Sequence, residues 1–344
     1  MTGIETKSAS SHTEAAGTSR AERWRFGQYS WVWVGLLGLL ILSAILVPAT
    51  LSPVSLVAVL PFFAVLALAA VGQCLVIQQR GLDLSIPGTF AVTAIVMTRL
   101  ELIGVSMPLA LIASLGIAVL IGLVNGLVIL KLSVSPLVAT LSTNAILLGA
   151  AYMISGGQYL SSSPEWNGIA RSRIVFDVPF VIVMVVVVIA VFSFLLRKSV
   201  PGRRFVLVGS NPAAARAAGI GITAYQLSSY VLCSLFAGIA GLLLTGFVGN
   251  ATPGLGGPYL LSTVAAVVIG GTPLTGGKGS LVATAAGALL LSQLDQLTAS
   301  LGAPQSTQMF VQAGVLVLAF AVRQVNRGTF DRLLSRSRGG LART

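Results

Sequence analysis

The sequence has very few charged residues for its length. Only 9% of its 344 residues are charged and 55% are hydrophobic, whereas a soluble globular domain carries about 25% charged residues. The mean hydropathy is +0.93. A chain with so little charge cannot cover a folded domain with a water-facing surface. The composition therefore predicts an integral membrane protein and excludes a soluble enzyme or binding domain.

Histidine and cysteine are almost absent. The single histidine, His12, lies in a polar N-terminal stretch, which excludes a His-based metal or catalytic cluster in the apolar region. Cys74 and Cys233 lie inside apolar runs and are interpreted as small hydrophobic side chains, not as a disulfide framework. A Ser–Lys enzyme stays open in principle, although Lys131 and Lys278 fall at the predicted inner surface. We expect no catalytic residue, metal or cofactor on this chain.

Long apolar runs make up most of the chain. About 20 apolar residues are needed for a helix to cross a bilayer, and runs such as VIVMVVVVIAVF do not alternate as the strands of a membrane β-barrel do. The pattern predicts an all-α bundle of about ten transmembrane helices, of which the third, eighth and tenth are short or interrupted. The runs are 30–48, 54–77, 85–100, 107–130, 136–154, 178–196, 227–248, 260–274, 281–298 and 308–322.

The basic residues indicate an orientation. The net charge is +12, and all but three of the 21 basic residues (Arg99, Arg171 and Arg173) fall in segments that lie on one side if both termini are cytoplasmic. This is the distribution that the positive-inside rule describes, and it argues against a nucleic-acid partner. The predicted domains are a polar cytoplasmic tail (1–29), a transmembrane domain (30–322) and a basic cytoplasmic tail (323–344).

Two connections are longer than a turn: a predicted external loop (155–177) and a predicted cytoplasmic segment (197–226). Within the second, the stretch NPAAARAAG has the signals of a short helix. Asn211 suits the N-cap, Pro212 the first helical position, and Gly219 the end. So short a helix is marginal when it stands free in water. The alternative is that this helix is only part of a loop and binds no partner. We favour docking to another protein.

The glycine-rich run VIGGTPLTGGKGS (268–280) does not fit a phosphate-binding loop. That motif needs a glycine where this chain has Thr272 and a hydroxyl residue where it has Gly279. We therefore expect a sharp re-entry of the chain or close helix contact here. Pairs of small residues four apart predict further close helix contacts: Gly122 with Gly126, Ala237 with Gly241, and Ala283 with Gly287.

A few polar residues interrupt the apolar runs. Asn125 and Asn144 are amides within predicted spans, where they serve either packing or a pathway. Asp295 falls near the predicted outer end of its span, where we expect it to be solvated. Asp83 could cap a helix start, bind a coupling ion, or shape a bend between two helices. We favour the cap and the bend, and we expect Asp83 at the inner mouth of the third span, beside Arg80 and within reach of water.

Four blocks of this sequence resemble one known family. They are GLDLSIPG, GLVNGLVILKLSVSPLVATLSTNAILLGAAYMISGG, VGSNPAAARAAGI and STVAAVVIGGTPLTGGKGSLVATAAGALLL. In this order they look like the ribose-type sugar permeases of bacterial ABC importers, from about residue 50 to 322. One departure is visible. The family signature usually continues Val-Gly after Leu-Ser, whereas this chain has Ile86-Pro87-Gly88, so we expect the bend to differ here.

The resemblance implies a permease subunit with a type II ABC-importer-like bundle in the bacterial inner membrane. Its implied partners are a second permease subunit, cytoplasmic ATPase subunits that carry the ATP-Mg, an extracytoplasmic sugar-binding protein, and lipid. The implied substrate is a monosaccharide or related polyol. The alternative is an ion-coupled secondary transporter with broken helices, using Asp83 or Asp295. The implied ATPase-coupling residues are Asn211, Pro212, Ala215, Arg216 and Gly219, and the signature residues are Gly81, Asp83, Ser85, Pro87 and Gly88.

Overall fold

The computed structural model describes residues 29–174 and 178–324, and this part of the chain contains thirteen α-helices. They are α1 (Trp31–Leu46), α2 (Pro53–Gln78), α3 (Ile86–Leu102), α4 (Met107–Leu132), α5 (Pro136–Ser155), α6 (Pro164–Ala170), α7 (Phe180–Lys198), α8 (Val200–Ser210), α9 (Pro212–Ala217), α10 (Ile222–Val248), α11 (Tyr259–Ile269), α12 (Leu281–Ser300) and α13 (Gln305–Gln324). Strands β1 (Leu160–Ser161) and β2 (Asn250–Ala251) pair antiparallel, and a 3₁₀ helix covers Pro48–Leu51.

Each apolar run of the sequence overlaps one helix: α1 to α5, α7, and α10 to α13. The run predicted over 260–274 is helical only to Ile269, where the glycine-rich segment begins. Within the described residues, five of these helices (α2, α4, α5, α7 and α10) are long and apolar enough to cross a membrane alone, and α1 and α11 are shorter apolar helices. The all-helical membrane fold is therefore confirmed, while ten complete crossings and the orientation stay predictions. The predicted tails fall almost entirely on residues 1–28 and 325–344, outside the described part.

Two helices form the centre of the bundle. The second half of α2, from Ala64 to Gln78, is buried on all sides, and α10 packs against α2, α3 and α4. By contrast, α5 and α7 keep most of their apolar side chains on the outer surface. A helix that is apolar all round is typical of a membrane span, and the exposed apolar faces of α5 and α7 are suited to lipid.

The predicted small-residue contacts are present. A Cβ added at Gly122 of α4 would lie 2.6 Å from the Tyr230 carbonyl oxygen of α10, and one at Gly241 of α10 would lie 2.7 Å from the Phe90 Cα of α3. Gly287 of α12 meets the backbone of α11 in the same way. The glycines therefore let these helix backbones approach each other more closely than any larger residue would allow.

The predicted external loop contains regular structure. Strand β1 pairs with β2, which follows α10, and helix α6 lies between them in sequence. Trp166 of α6 is buried and donates its indole N–H to the Leu242 carbonyl of α10, 2.8 Å away. The segment is therefore packed onto the end of α10, because the buried indole gains both apolar contact and a hydrogen bond.

Candidate functional site

Helix α9 has the local structure that the sequence predicts. The Asn211 side-chain oxygen accepts a hydrogen bond from the Ala214 N–H at 3.0 Å, and Pro212 occupies the first turn. Gly219 follows the helix with φ +71°, a left-handed conformation that glycine adopts without strain. The helix and its cap are confirmed, whereas docking to another protein stays a prediction.

Helices α8 and α9 present a basic surface. Ala215 points into the protein with no exposed area, whereas Arg216 is exposed, as are Arg203 and Arg204 of α8. No acidic residue of the described part lies on these two helices. The surface is therefore suited to an acidic partner. The acidic residues of the described part are Asp83, Glu101, Glu165 and Asp295.

Helix α8 was not predicted from the sequence. Its N-cap is Ser199, whose hydroxyl accepts a hydrogen bond from the Gly202 N–H at 3.0 Å, and Pro201 lies in its first turn. This is the same cap-and-proline signal as in α9, so the sequence did contain the information. Ser-Val-Pro could have been identified as a helix start directly after the preceding span.

Arg80 joins the end of α2 to the end of α8. Its Nε donates to the Gly209 carbonyl at 2.9 Å and its Nη2 to the Ser210 carbonyl at 2.6 Å. Both carbonyls belong to the last turn of α8, where a cation is favoured by the helix dipole. Arg80 itself has φ +65°, which is uncommon for a residue other than glycine. The last turn of α8, which Asn211 joins to α9, is thus held directly by the turn after α2.

The glycine-rich segment joins the same place. The Gly277 N–H donates to the Gln78 carbonyl at 2.9 Å, and the Ser210 hydroxyl donates to the Gly277 carbonyl at 3.0 Å. The side-chain Nε2 of Gln79 donates a hydrogen bond to the Phe205 carbonyl of α8 at 2.7 Å. The expected close contact is confirmed. We call this contact between residues 78–80, 205–210 and 276–279 the α8 junction.

Asp83 lies inside the bundle and not at its mouth. It is only 1% exposed, and its Oδ1 accepts hydrogen bonds from the Ser85 N–H at 2.9 Å and the Ser85 hydroxyl at 2.6 Å. Cys233 and Ser234, near the middle of α10, lie beside its carboxylate. The expectation that water reaches Asp83 was wrong, because the non-helical stretch 81–85 returns into the bundle before α3 begins.

The start of α3 is capped by α5. The Gly88 N–H donates to the Asn144 side-chain oxygen at 2.8 Å, and the Leu84 N–H donates to the Thr140 hydroxyl at 3.0 Å. Pro87 lies in the first turn as predicted, and it has no N–H to satisfy. The expectation that Asp83 and Ser85 cap this helix was wrong: the Ser85 side chain caps no helix N–H, and Asp83 bonds to Ser85 before the helix begins.

Asn125 extends this network to α4. Its Nδ2 donates to the Ser85 hydroxyl at 2.8 Å, and its Oδ1 accepts from the Thr143 hydroxyl at 2.6 Å. Both predicted amides, Asn125 and Asn144, therefore hold the stretch before α3 in place. Sequence reasoning missed Thr140 and Thr143 of α5. Thr140 precedes Asn144 by four residues, so both lie on one face of a helix. This spacing could have indicated that Thr140 belongs to the same polar site as Asn144.

The two signature glycines are points of close approach. A Cβ at Gly81 would lie 3.0 Å from the Cζ atom of Tyr230 on α10, and a Cβ at Gly88 would lie 2.7 Å from the Leu147 Cβ of α5. A side chain at Gly81 would displace the Tyr230 ring, and one at Gly88 would press on the backbone of α5 at Asn144. The residues predicted as one signature thus lie between α5 and α10 in the structure.

A second irregular stretch meets the first. A Cβ at Gly256, in the connection between α10 and α11, would lie 2.5 Å from the Cα of Pro87. One turn further, the Phe90 ring stacks on the Tyr259 ring at the start of α11, with centroids 5.0 Å apart. Interrupted helices that meet within the bundle are tolerated in membrane proteins where protein surrounds the irregular backbone, and they are found at transport sites.

The comparisons with known proteins agree with this architecture. The family model described as branched-chain amino acid transport system / permease component matches residues 55–320. The chain belongs to this permease family. The permease is 34% identical over 299 residues to the ribose import permease protein RbsC of Escherichia coli (strain K12), with 83% of this chain and 92% of that protein covered. It is 32% identical over 263 residues to the galactofuranose transporter permease protein YtfT of the same strain, with 76% of each covered.

These relatives establish the general class of the protein. The permease is a multi-pass inner-membrane protein and a subunit of a transport system. A relative from Bacillus subtilis (strain 168), also named ribose import permease protein RbsC, is 32% identical over 289 residues, with 83% of this chain and 90% of that protein covered. The ion-coupled secondary transporter is not favoured by these relatives. No solved structure matches the chain significantly.

Proposed function

We propose that this permease is the membrane subunit of an ATP-driven ABC importer for a monosaccharide or related polyol. The names of the relatives support the substrate class, since they include ribose and galactofuranose permeases. In the proposed topology ten helices cross the membrane, both termini are cytoplasmic, and α8 and α9 lie on the cytoplasmic side. The positive-inside distribution of the basic residues supports this orientation.

One observation carries the proposal: the capped, basic helices α8 and α9 are attached to the turn between α2 and α3. Arg216 is exposed on α9, and Arg80 holds the carbonyls of Gly209 and Ser210 at the end of α8, which only Asn211 separates from α9. A partner that pulls on α9 would therefore pull on the turn between α2 and α3. The partner is an ATPase subunit that carries the ATP-Mg, and this chain needs no nucleotide site of its own.

The remaining partners follow from the same mechanism. A second permease subunit completes the translocation path, and an extracytoplasmic binding protein delivers the sugar. ATP binding closes the ATPase pair, α9 follows that motion, and the α8 junction transmits it to the stretch 81–88. The translocation path then opens alternately to the extracytoplasmic side and to the cytoplasmic side of the membrane.

Replacement of residues 211–219 by a flexible Gly/Ser linker tests the proposal. We expect sugar uptake into vesicles that contain the ATPase and the binding protein to be abolished, because the linker cannot transmit force. Insertion of the chain into the membrane should be unchanged, since the replaced residues lie outside the apolar helices. Uptake that survives the replacement would contradict the coupling role of α9.

A charge variant separates docking from folding. Arg216→Glu changes only an exposed side chain, so the variant should fold normally and lose most of the ATPase subunit in co-purification at low salt. Lys131→Glu, an exposed charge on α4, is the matched control and should retain the ATPase. Sugar uptake by the permease in vesicles without any ATPase would contradict the ATP-driven mechanism itself.

A further inference from the structure

A cavity lies at the end of the bundle opposite to the α8 junction. Its volume is about 700 Å³, which is within the usual range for small-molecule sites, about 300–1,000 Å³. It is formed by the first half of α2, the end of α10, the start of α11, the second half of α12 and the start of α13. In the proposed topology this is the extracytoplasmic end.

A carboxylate is held in the wall of this cavity. The Asp295 Oδ1 accepts a hydrogen bond from the Gln312 Nε2 at 2.5 Å, and the Gln312 Oε1 accepts one from the Ser262 hydroxyl at 3.2 Å. Three helices (α12, α13 and α11) thus orient one carboxylate. Asp295 is half-buried and faces the cavity, so the expectation that it is solvated at the outer end of its span is refined: it borders a partly open cavity.

The charge of the lining selects the ligand class. No basic side chain is among the described residues that line the cavity. A ligand with a carboxylate or a phosphate would meet Asp295 without a compensating cation, and the two like charges would repel each other. Hydroxyl groups, by contrast, can donate to Asp295 and to the amide oxygens of Gln308 and Gln312. The rings of Phe62 and Tyr259 offer apolar surface beside these polar groups.

From this arrangement we infer that the cavity binds a neutral polyhydroxylated ligand, with Asp295 and Gln312 as its hydrogen-bonding residues. The inference rests on the proposed function and adds to it a substrate site within a single permease chain. The site is connected to the start of α3, because Tyr259 of the cavity wall stacks on Phe90. The cavity wall therefore contacts α3 one turn after the place where Pro87 and Gly256 meet.

Thiol labelling tests the inference in the complete transporter. Met309 lines the cavity and is 53% exposed, while Cys74 and Cys233 have no exposed area and give little background labelling. We expect a membrane-impermeant methanethiosulfonate reagent to modify Met309→Cys from the extracytoplasmic side. The transported sugar, selected from D-ribose, D-xylose, D-galactose and ribitol by wild-type uptake, should slow this modification at least about threefold.

Met153→Cys is the matched control, because Met153 is 87% exposed at the end of α5 and does not line the cavity. It should react at the same rate with and without sugar. Sodium ions in place of sugar should not protect Met309→Cys. The inference would be overturned if sodium, and not sugar, slowed the modification of Met309→Cys, or if neither slowed it. It would also be overturned if Met309→Cys did not react with the reagent.

Transport kinetics supply the second measurement. Asp295→Ala removes a charged acceptor, so the KM for the sugar should rise about tenfold or more, equivalent to about 1.4 kcal/mol, with a smaller change in kcat. An unchanged KM in a folded Asp295→Ala variant would also overturn the inference. If wild type transports none of the four sugars with ATP, the proposed function fails and the inference falls with it. If wild type transports a sugar but shows no protection, only the inference fails.

Discussion

Asp83 is a carboxylate in the interior of a membrane domain, and its observed contacts are those of a structural hydrogen-bond acceptor. Its Oδ1 satisfies both the N–H and the hydroxyl of Ser85. The nearest basic residue in sequence, Arg80, directs its guanidinium to α8 instead. These contacts use Oδ1 as an acceptor, and we expect this acceptor, more than the negative charge, to be what the stretch before α3 requires.

Two substitutions at Asp83 separate the role of its acceptor oxygen from the role of its negative charge. Asp83→Asn keeps the Oδ1 acceptor, so we expect near wild-type uptake and thermal stability. Asp83→Leu leaves the buried Ser85 N–H without its acceptor and should destabilise the protein by about 1–3 kcal/mol. Thermal unfolding in detergent and uptake in vesicles check both variants. A folded Asp83→Asn variant without uptake would show that the charge itself is needed.

At the scale of helices, the bundle depends on close backbone contact between α4 and α10. Gly122 faces Tyr230 and Val231 so closely that a Cβ would lie 2.6 Å from the Tyr230 carbonyl oxygen and from the Val231 Cα. Both nearest atoms belong to the backbone, which cannot rotate away as a flexible side chain could. One added methyl group must therefore move a whole helix.

Gly122→Ala should destabilise the permease by about 1–3 kcal/mol, the usual cost of overpacking. Gly116→Ala on the same helix is the control, because a Cβ there meets nothing within 4 Å. That control should be neutral or slightly stabilising, since alanine favours helix more than glycine does. Thermal unfolding of both variants in the same detergent provides the comparison. Equal stabilities would contradict the close contact between α4 and α10.

At the scale of the whole molecule, a continuous series of contacts runs from α9 to the cavity. It passes through the α8 junction and the stretch 81–88 to the Phe90–Tyr259 ring pair. Arg80 is the first link, with two charge-assisted hydrogen bonds to α8. Energetic coupling along this series is measured by a substitution at its first link and a readout at each end.

Arg80→Gln supplies that measurement. We expect the transporter to assemble and to hydrolyse ATP, while the sugar imported per ATP falls about tenfold, because α8 is no longer held by the turn after α2. Lys131→Gln removes one exposed positive charge elsewhere and is the control. ATP turnover and uptake are measured in the same vesicles. An unchanged ratio in Arg80→Gln would remove Arg80 from the transmission path.

Much of the fold could be predicted because its signals are local. The apolar runs located the helices α1 to α5, α7 and α10 to α13, since a membrane requires a continuous apolar stretch for each. The cap of α9 involves only residues within 211–219, and the structure shows it with the predicted residue, Asn211, at the N-cap. The same local signal was present for α8 and was overlooked.

The candidate site depends on contacts between residues far apart in sequence. The Asn144 oxygen that caps α3 lies 56 residues from Gly88, and the carbonyls that Arg80 holds lie 129 and 130 residues away. No periodicity or composition encodes such pairs. Burial of Asp83, the α8 junction and the carboxylate cavity were therefore decided by tertiary packing, whereas the membrane class and the helix positions follow from the chain's own apolar pattern. The physical reason is that water and lipid act on each segment separately, while hydrogen-bond partners exist only once the helices have met.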